Sequence, residues 1–167
     1  NPYSGTNVSF IDNTVTNVVE DNEVWMAGEG HGILVANKAR TIYPEGEGAL
    51  FYTDSTDGLL MEGNSFDTTI SGNEVNFYNL VVSVWDGIAV DNSLVLAGNL
   101  TNNASITENS FSTAFDGNTV NMDIMGGESF GNGIAAYNNL EMLNWDGDDN
   151  VIDLNTFDTE FTDNTVN

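Results

Sequence analysis

Twelve residues recur four times along this chain, and that repetition limits its fold more than any other property. The run Asn13-Thr14-Val15-Thr16-Asn17-Val18-Val19-Glu20-Asp21-Asn22-Glu23-Val24 returns as NSFDTTISGNEV from Asn64, NSFSTAFDGNTV from Asn109 and NTFDTEFTDNTV from Asn155. Its second asparagines, Asn22, Asn73, Asn118 and Asn164, lie 51, 45 and 46 residues apart. A shorter motif keeps the same beat: Gly32-Ile33-Leu34-Val35-Ala36-Asn37 is echoed by GIAVDN from Gly87 and GIAAYN from Gly133. Such self-similarity marks a supersecondary unit that cannot cover its own apolar face and therefore stacks on its neighbours. The units divide one array over 1–167 into approximately 8–58, 59–103, 104–149 and a partial unit 150–167.

Inside the motif the periodicity is two. Phe111, Thr113 and Phe115 alternate with Ser112 and Ala114, as do Phe66, Thr68, Ile70 and Phe157, Thr159, Phe161 in their own copies. Period two is the signature of a strand with one buried face. In-register stacking then sets Phe66, Phe111 and Phe157 in one internal column with Val15, and Ile70, Phe115 and Phe161 in another with Val19. The leading asparagines Asn13, Asn64, Asn109 and Asn155 align likewise, and stacked amides hydrogen-bond into a ladder that favours register. Asn22, Asn73, Asn118 and Asn164 follow Asp or Gly, residue types that tolerate left-handed backbone, so a turn corner is expected there. No segment carries a sustained helical period. The expected class is all-β, either a β-solenoid or a cross-β stack with one unit of about 45 residues per rung.

Charge narrows the partners. Against 26 Asp and Glu stand only Lys38 and Arg40, a formal charge of -24. Phosphate recognition begins with clustered Lys and Arg, so nucleic acid and anionic membrane surfaces are excluded as partners. No run approaches the roughly 18 apolar residues of a membrane helix. Yet 40% of residues are apolar and 25 are asparagine, a composition unlike that of a solvating acidic tail. With no cysteine there is no disulfide framework, and stability must come from repetition and stacking. The opening Asn1-Pro2 fits a product whose targeting segment has been removed, which favours a secreted, extracellular or cell-surface location.

Few residues suggest chemistry. His31, the single histidine, lies between two glycines and is read as an ordinary loop residue. Nothing singles out a catalytic pair among the acids, and no enzyme activity is expected. Trp145-Asp146-Gly147-Asp148-Asp149-Asn150 packs hard oxygen ligands around a glycine, making Asp146, Asp148 and Asp149 a candidate calcium site. Divalent cations would also relieve the repulsion between stacked acidic units. Trp25, Trp85 and Trp145 are spaced evenly, but their surroundings differ and they are read as packing residues.

The repeats resemble those of secreted bacterial functional amyloid subunits. Glu108-Asn109-Ser110-Phe111 and Ser129-Phe130-Gly131-Asn132-Gly133-Ile134-Ala135-Ala136 stand where the Fap-type fibril subunit has an Asn-Lys-Phe-like triplet and a later Gly-Asn-x-Gly-rich apolar stretch. Curli subunits are similar in architecture at a greater distance. The resemblance spans about residues 60–167 and implies a homopolymeric extracellular fibre of biofilm matrix; apart from the calcium candidate no cofactor is expected. The fourth copy stops at Asn167, where earlier copies continue, and an uncapped strand edge of this kind is expected to pair with another molecule. A second reading, from another class, is a monomeric β-solenoid adhesin or binding module dependent on calcium.

Overall fold

The computed structural model describes residues 9–27, 29–40, 60–80, 85–98, 103–124, 131–144 and 148–167. The strands in chain order are β1 (Ser9–Ile11), β2 (Thr14–Glu20), β3 (Glu23–Met26), β4 (Ile33–Arg40), β5 (Leu60–Glu62), β6 (Ser65–Ser71), β7 (Glu74–Leu80) and β8 (Ile88–Gly98). They continue as β9 (Ser105–Thr107), β10 (Ser110–Asp116), β11 (Thr119–Ile124), β12 (Ile134–Asn144), β13 (Val151–Asp153), β14 (Thr156–Thr162) and β15 (Thr165–Val166).

Equivalent strands pair in parallel, one repeat above the next. Among the described residues four sheets result, ordered β1-β5-β9-β13, β14-β10-β6-β2, β15-β11-β7-β3 and β12-β8-β4. The chain is therefore a parallel β-solenoid in which β1 to β4 form the first rung and β13 to β15 belong to the fourth. Register is that of the sequence repeat: Val15 pairs Phe66, Phe66 pairs Phe111, and Phe111 pairs Phe157. The Gly32, Gly87 and Gly133 motifs begin the strands of the last sheet, with Ile33, Ile88 and Ile134 in register.

Among the described residues, the eight corners at the motif asparagines have one construction. The residue before each motif asparagine takes the left-handed conformation: Asp12, Asp21, Gly63, Gly72, Glu108, Gly117, Leu154 and Asp163, with φ between 52° and 64°. A left-handed non-glycine residue costs about 1–2 kcal/mol. That cost recurs at five of these corners, so the bend is held by something stronger than local preference.

The first three sheets form one wall and β4, β8 and β12 close across it. Ile70 and Phe115 from the second sheet, Val75, Phe77 and Val120 from the third, and Ile88 and Val90 from the last make one buried cluster. Met61, Ala104 and Ile106 join Phe66, Phe111, Leu94 and Leu96 in another. Burying a side chain of this size contributes about 1.5–3 kcal/mol, and each column repeats it. Between the two clusters runs a polar seam. Asn37 Nδ2 donates to Thr68 Oγ1 at 3.0 Å, and one rung on Asn92 Nδ2 donates to Thr113 Oγ1 at 3.3 Å. The threonines that alternate with phenylalanine thus face inward as expected, but against amides rather than apolar groups.

Close approach of wall and closing sheet depends on glycine. A Cβ on Gly87 would overlap the Gly133 carbonyl oxygen and Val120 Cγ1, and one on Gly133 would overlap Val166. Because a backbone atom is among the obstacles, Gly87→Ala is expected to cost on the order of 1–3 kcal/mol, the usual penalty of overpacking. Urea denaturation reads it directly, and an unchanged midpoint would contradict this packing.

Candidate functional site

The feature with most chemistry on this molecule is its set of stacking columns. Asn13 Nδ2 donates to Asn64 Oδ1 at 2.9 Å, Asn64 to Asn109 at 2.8 Å, and Asn109 to Asn155 at 2.8 Å. The corner asparagines do the same: Asn22 to Asn73 and Asn73 to Asn118 at 3.0 Å, Asn118 to Asn164 at 2.9 Å. Turn formation is therefore not the asparagine's part at these corners. The preceding residue makes the bend, and the asparagine repairs what the bend breaks.

Each repair uses both functions of the amide. Asn118 Oδ1 accepts the Asn73 backbone N–H at 3.0 Å while its Nδ2 donates to the Ile70 carbonyl at 2.8 Å. Asn109 serves Asn64 N and the Met61 carbonyl in the same way. A left-handed residue turns these backbone groups out of the ladder, and a buried orphan costs about 1–3 kcal/mol. A short primary amide carries two donors and a separate acceptor within that reach, where a hydroxyl has one donor. The leading and corner asparagines stand nine residues apart in every copy, each after Asp, Gly, Glu or Leu. That common spacing was the signal that the two positions are equivalent.

Two further ladders went unread in the sequence. Asn37 donates to Asn92 at 2.9 Å and Asn92 to Asn138 at 2.8 Å, inside the closing sheet. Asn121 donates to Asn76 at 2.7 Å and Asn167 to Asn121 at 2.8 Å, on the outer face of the third sheet. The first ends the Gly32 motif and its echoes, so its period was visible there.

Aromatic rings follow the same columns. Phe66 and Phe111 stack with centroids 4.9 Å apart, Phe111 and Phe157 at 5.0 Å, and Phe115 and Phe161 at 4.8 Å. Val15 and Val19 stand above Phe66 and Ile70, half-buried. Phe157 and Phe161 correct the expectation of a wholly buried column. They are 42% and 53% exposed, because the closing sheet has strands beside three rungs only.

Outward-facing columns space their charges. Asp67, Ser112 and Asp158 stack in that order, as do Glu20, Ser71, Asp116 and Thr162, and Glu62, Thr107 and Asp153. Acids thus fall on alternate rungs, roughly 9.6 Å apart at the usual strand spacing. That is close to the Debye length at 0.1 M salt, so most of the repulsion within a column is screened.

His31 lies in the loop before β4, as expected, and makes specific contacts there. Its Nδ1 accepts the Asp86 backbone N–H at 3.3 Å, and its ring meets Trp85 edge-on at 5.1 Å. Asp86 in turn accepts Asn132 N–H at 2.7 Å and the Tyr137 hydroxyl at 2.8 Å. That hydroxyl bond to a carboxylate, with partial burial, holds the Tyr137 phenol above its ordinary range. Trp25 and Trp85, expected to pack, are instead 62% and 59% exposed; Trp145 lies outside the described residues.

Of the calcium candidates, Asp146 lies outside the described residues. Asp148 and Asp149 are exposed, and Asp149 has φ 59°, the geometry of an acidic turn. Among the described residues no group of three or more His, Cys, Asp or Glu side chains converges on a common point. Comparison of the chain with family models, curated proteins and solved structures returns no match.

Proposed function

We propose that this protein is a structural subunit of an extracellular fibre, of the functional amyloid kind found in biofilm matrix, and that it assembles by in-register stacking of its rungs. The observation that supports this reading most is the identity of the rung-to-rung contacts. In the ladders of the leading and corner asparagines, amide Nδ2 donates toward the C-terminal rung at all six steps. For the amide-to-amide bonds, one edge of any rung therefore presents the donor and the other the acceptor, in the same columns. Stacked phenylalanines extend that match to apolar groups, and acids on alternate rungs limit the repulsion between them. Such an edge recognises another copy of itself through bonds already made within the chain. The role is mechanical, with no reaction assigned to it.

Repulsion between chains of charge -24 opposes assembly, so growth is expected to quicken as salt rises or as pH falls and carboxylates are protonated. Electron microscopy of the purified full chain over a salt and pH series tests this. Filaments many times longer than one solenoid, with a meridional spacing near 4.8 Å along their axis, are expected. A chain that stays monomeric for days at high concentration, in salt and in mild acid, would overturn the proposal.

A further inference from the structure

One stacked pair breaks the charge pattern of the outer columns. Among the paired strands of the described residues, Glu23 on Glu74 is the single case of acid directly on acid. Like charges directly opposite on neighbouring strands destabilise a sheet. Neither carboxylate takes part in the Lys–carboxylate ion pair of the described residues, which joins Lys38 with Asp91. Departures from an otherwise consistent pattern concentrate at functional sites.

The surroundings are equally unusual. Glu23 and Trp25 project outward from β3, and Glu74, Asn76 and Tyr78 project outward from β7 beside them. Trp25 is exposed, as is Tyr78 at 45%, and the two rings meet edge-on at 6.0 Å. Neither ring belongs to the buried clusters of the core. Both carboxylates are held in place through one oxygen. Trp25 Nε1–H donates to Glu23 Oε1 at 2.7 Å, and Asn76 and Asn121 Nδ2 donate to Glu74 Oε1 at 3.0 and 3.4 Å.

We propose that this face of the third sheet binds a primary alkylammonium ligand, with an aliphatic polyamine as its carrier. Glu23 and Glu74 receive the ammonium group, and Trp25 with Tyr78 receives the methylene stem and the cation's field. Two negative charges a strand spacing apart suit one or two adjacent ammonium groups, and aromatic faces attract such cations once partly desolvated. A calcium ion fits less well. It needs six to eight oxygens, whereas two carboxylates lie here, and the rings offer it nothing. Binding requires no fibre, because the site lies within two rungs of one chain.

Titration of the full chain with spermidine at constant ionic strength, followed by tryptophan fluorescence, tests the site. A saturable change is expected, lost in Trp25→Phe, with apparent affinity falling at least tenfold in Glu23→Gln and in Glu74→Gln. The same two glutamine variants should melt at a higher temperature than the unliganded parent, since each removes the repulsion. This also shows that they fold. Magnesium at matched ionic strength should give no saturable change. The proposal is overturned if magnesium reproduces the response, if both glutamine variants keep the parent affinity, or if spermidine produces no saturable change.

Discussion

Asn118→Asp is expected to destabilise the protein by about 3–5 kcal/mol at neutral pH, the range for an uncompensated charge in a buried network. The side chain is fully buried. Its Oδ1 accepts Asn73 N and Nδ2, both at 3.0 Å, and a carboxylate oxygen can still do so. The second oxygen then faces the Ile70 carbonyl and Asn164 Oδ1, two acceptors that Nδ2 now serves. Acceptor against acceptor disfavours the ionised form, so the folded-state pKa of the new carboxyl rises above its unfolded value of about 3.9. The part of the penalty that comes from ionisation is therefore absent below that unfolded value and grows as pH rises towards the folded one. Melting of parent and variant at pH 3 and pH 7 reads the sign: the gap should narrow in acid. Asn118→Ala should cost a comparable amount at both pH values, because it strands the same backbone groups without adding a charge. An aspartate variant whose loss did not depend on pH would contradict the ladder as described.

Phe115→Ala is expected to cost about 3–5 kcal/mol, the usual range for emptying a buried aromatic site. Phe115 is fully buried among Ile70, Val75, Phe77, Ile88, Val90 and Val120, and its ring stacks on Phe161. The surrounding groups belong to three sheets tied by in-register ladders, so the cavity cannot collapse without breaking register. Phe161→Ala should cost less than half as much. That ring occupies the same column but is 53% exposed, so its removal leaves an open notch rather than a void. The difference between the two guanidinium midpoints is the measurement. Equal losses would mean that the column, rather than closure by the last sheet, sets the burial.

How far these features could be read beforehand varies with the kind of contact. Phe66, Phe111 and Phe157 lie in one column because identical copies that stack must superpose identical positions. The alternation of Phe111, Thr113 and Phe115 with Ser112 and Ala114 likewise follows from the pleat. Asn109 was legible as a ladder residue on the same ground. Asn118 was legible only in part, since an asparagine after glycine forms a turn in most chains. Its second duty depends on the Ile70 carbonyl, which nothing local exposes. Trp25 was misread because an indole's size argues for burial, while its parity in β3, outward with Glu23, argues against it.

The repeat, the strand parity and the register along the stacking axis, the one-dimensional part of the structure, were thus legible in the residues. Each of these relates a residue to its own copy, and copying makes the partner known. What faces what across the rung was not legible and came from the packed chain. Packing brought Asn37 and Asn92 against Thr68 and Thr113, Gly87 beneath Val120, and His31 beside Asp86 and Trp85. These contacts join unlike segments through connections of differing length. Their pairing is set by how β4, β8 and β12 close over the wall, a choice made by collective packing and not by any single motif.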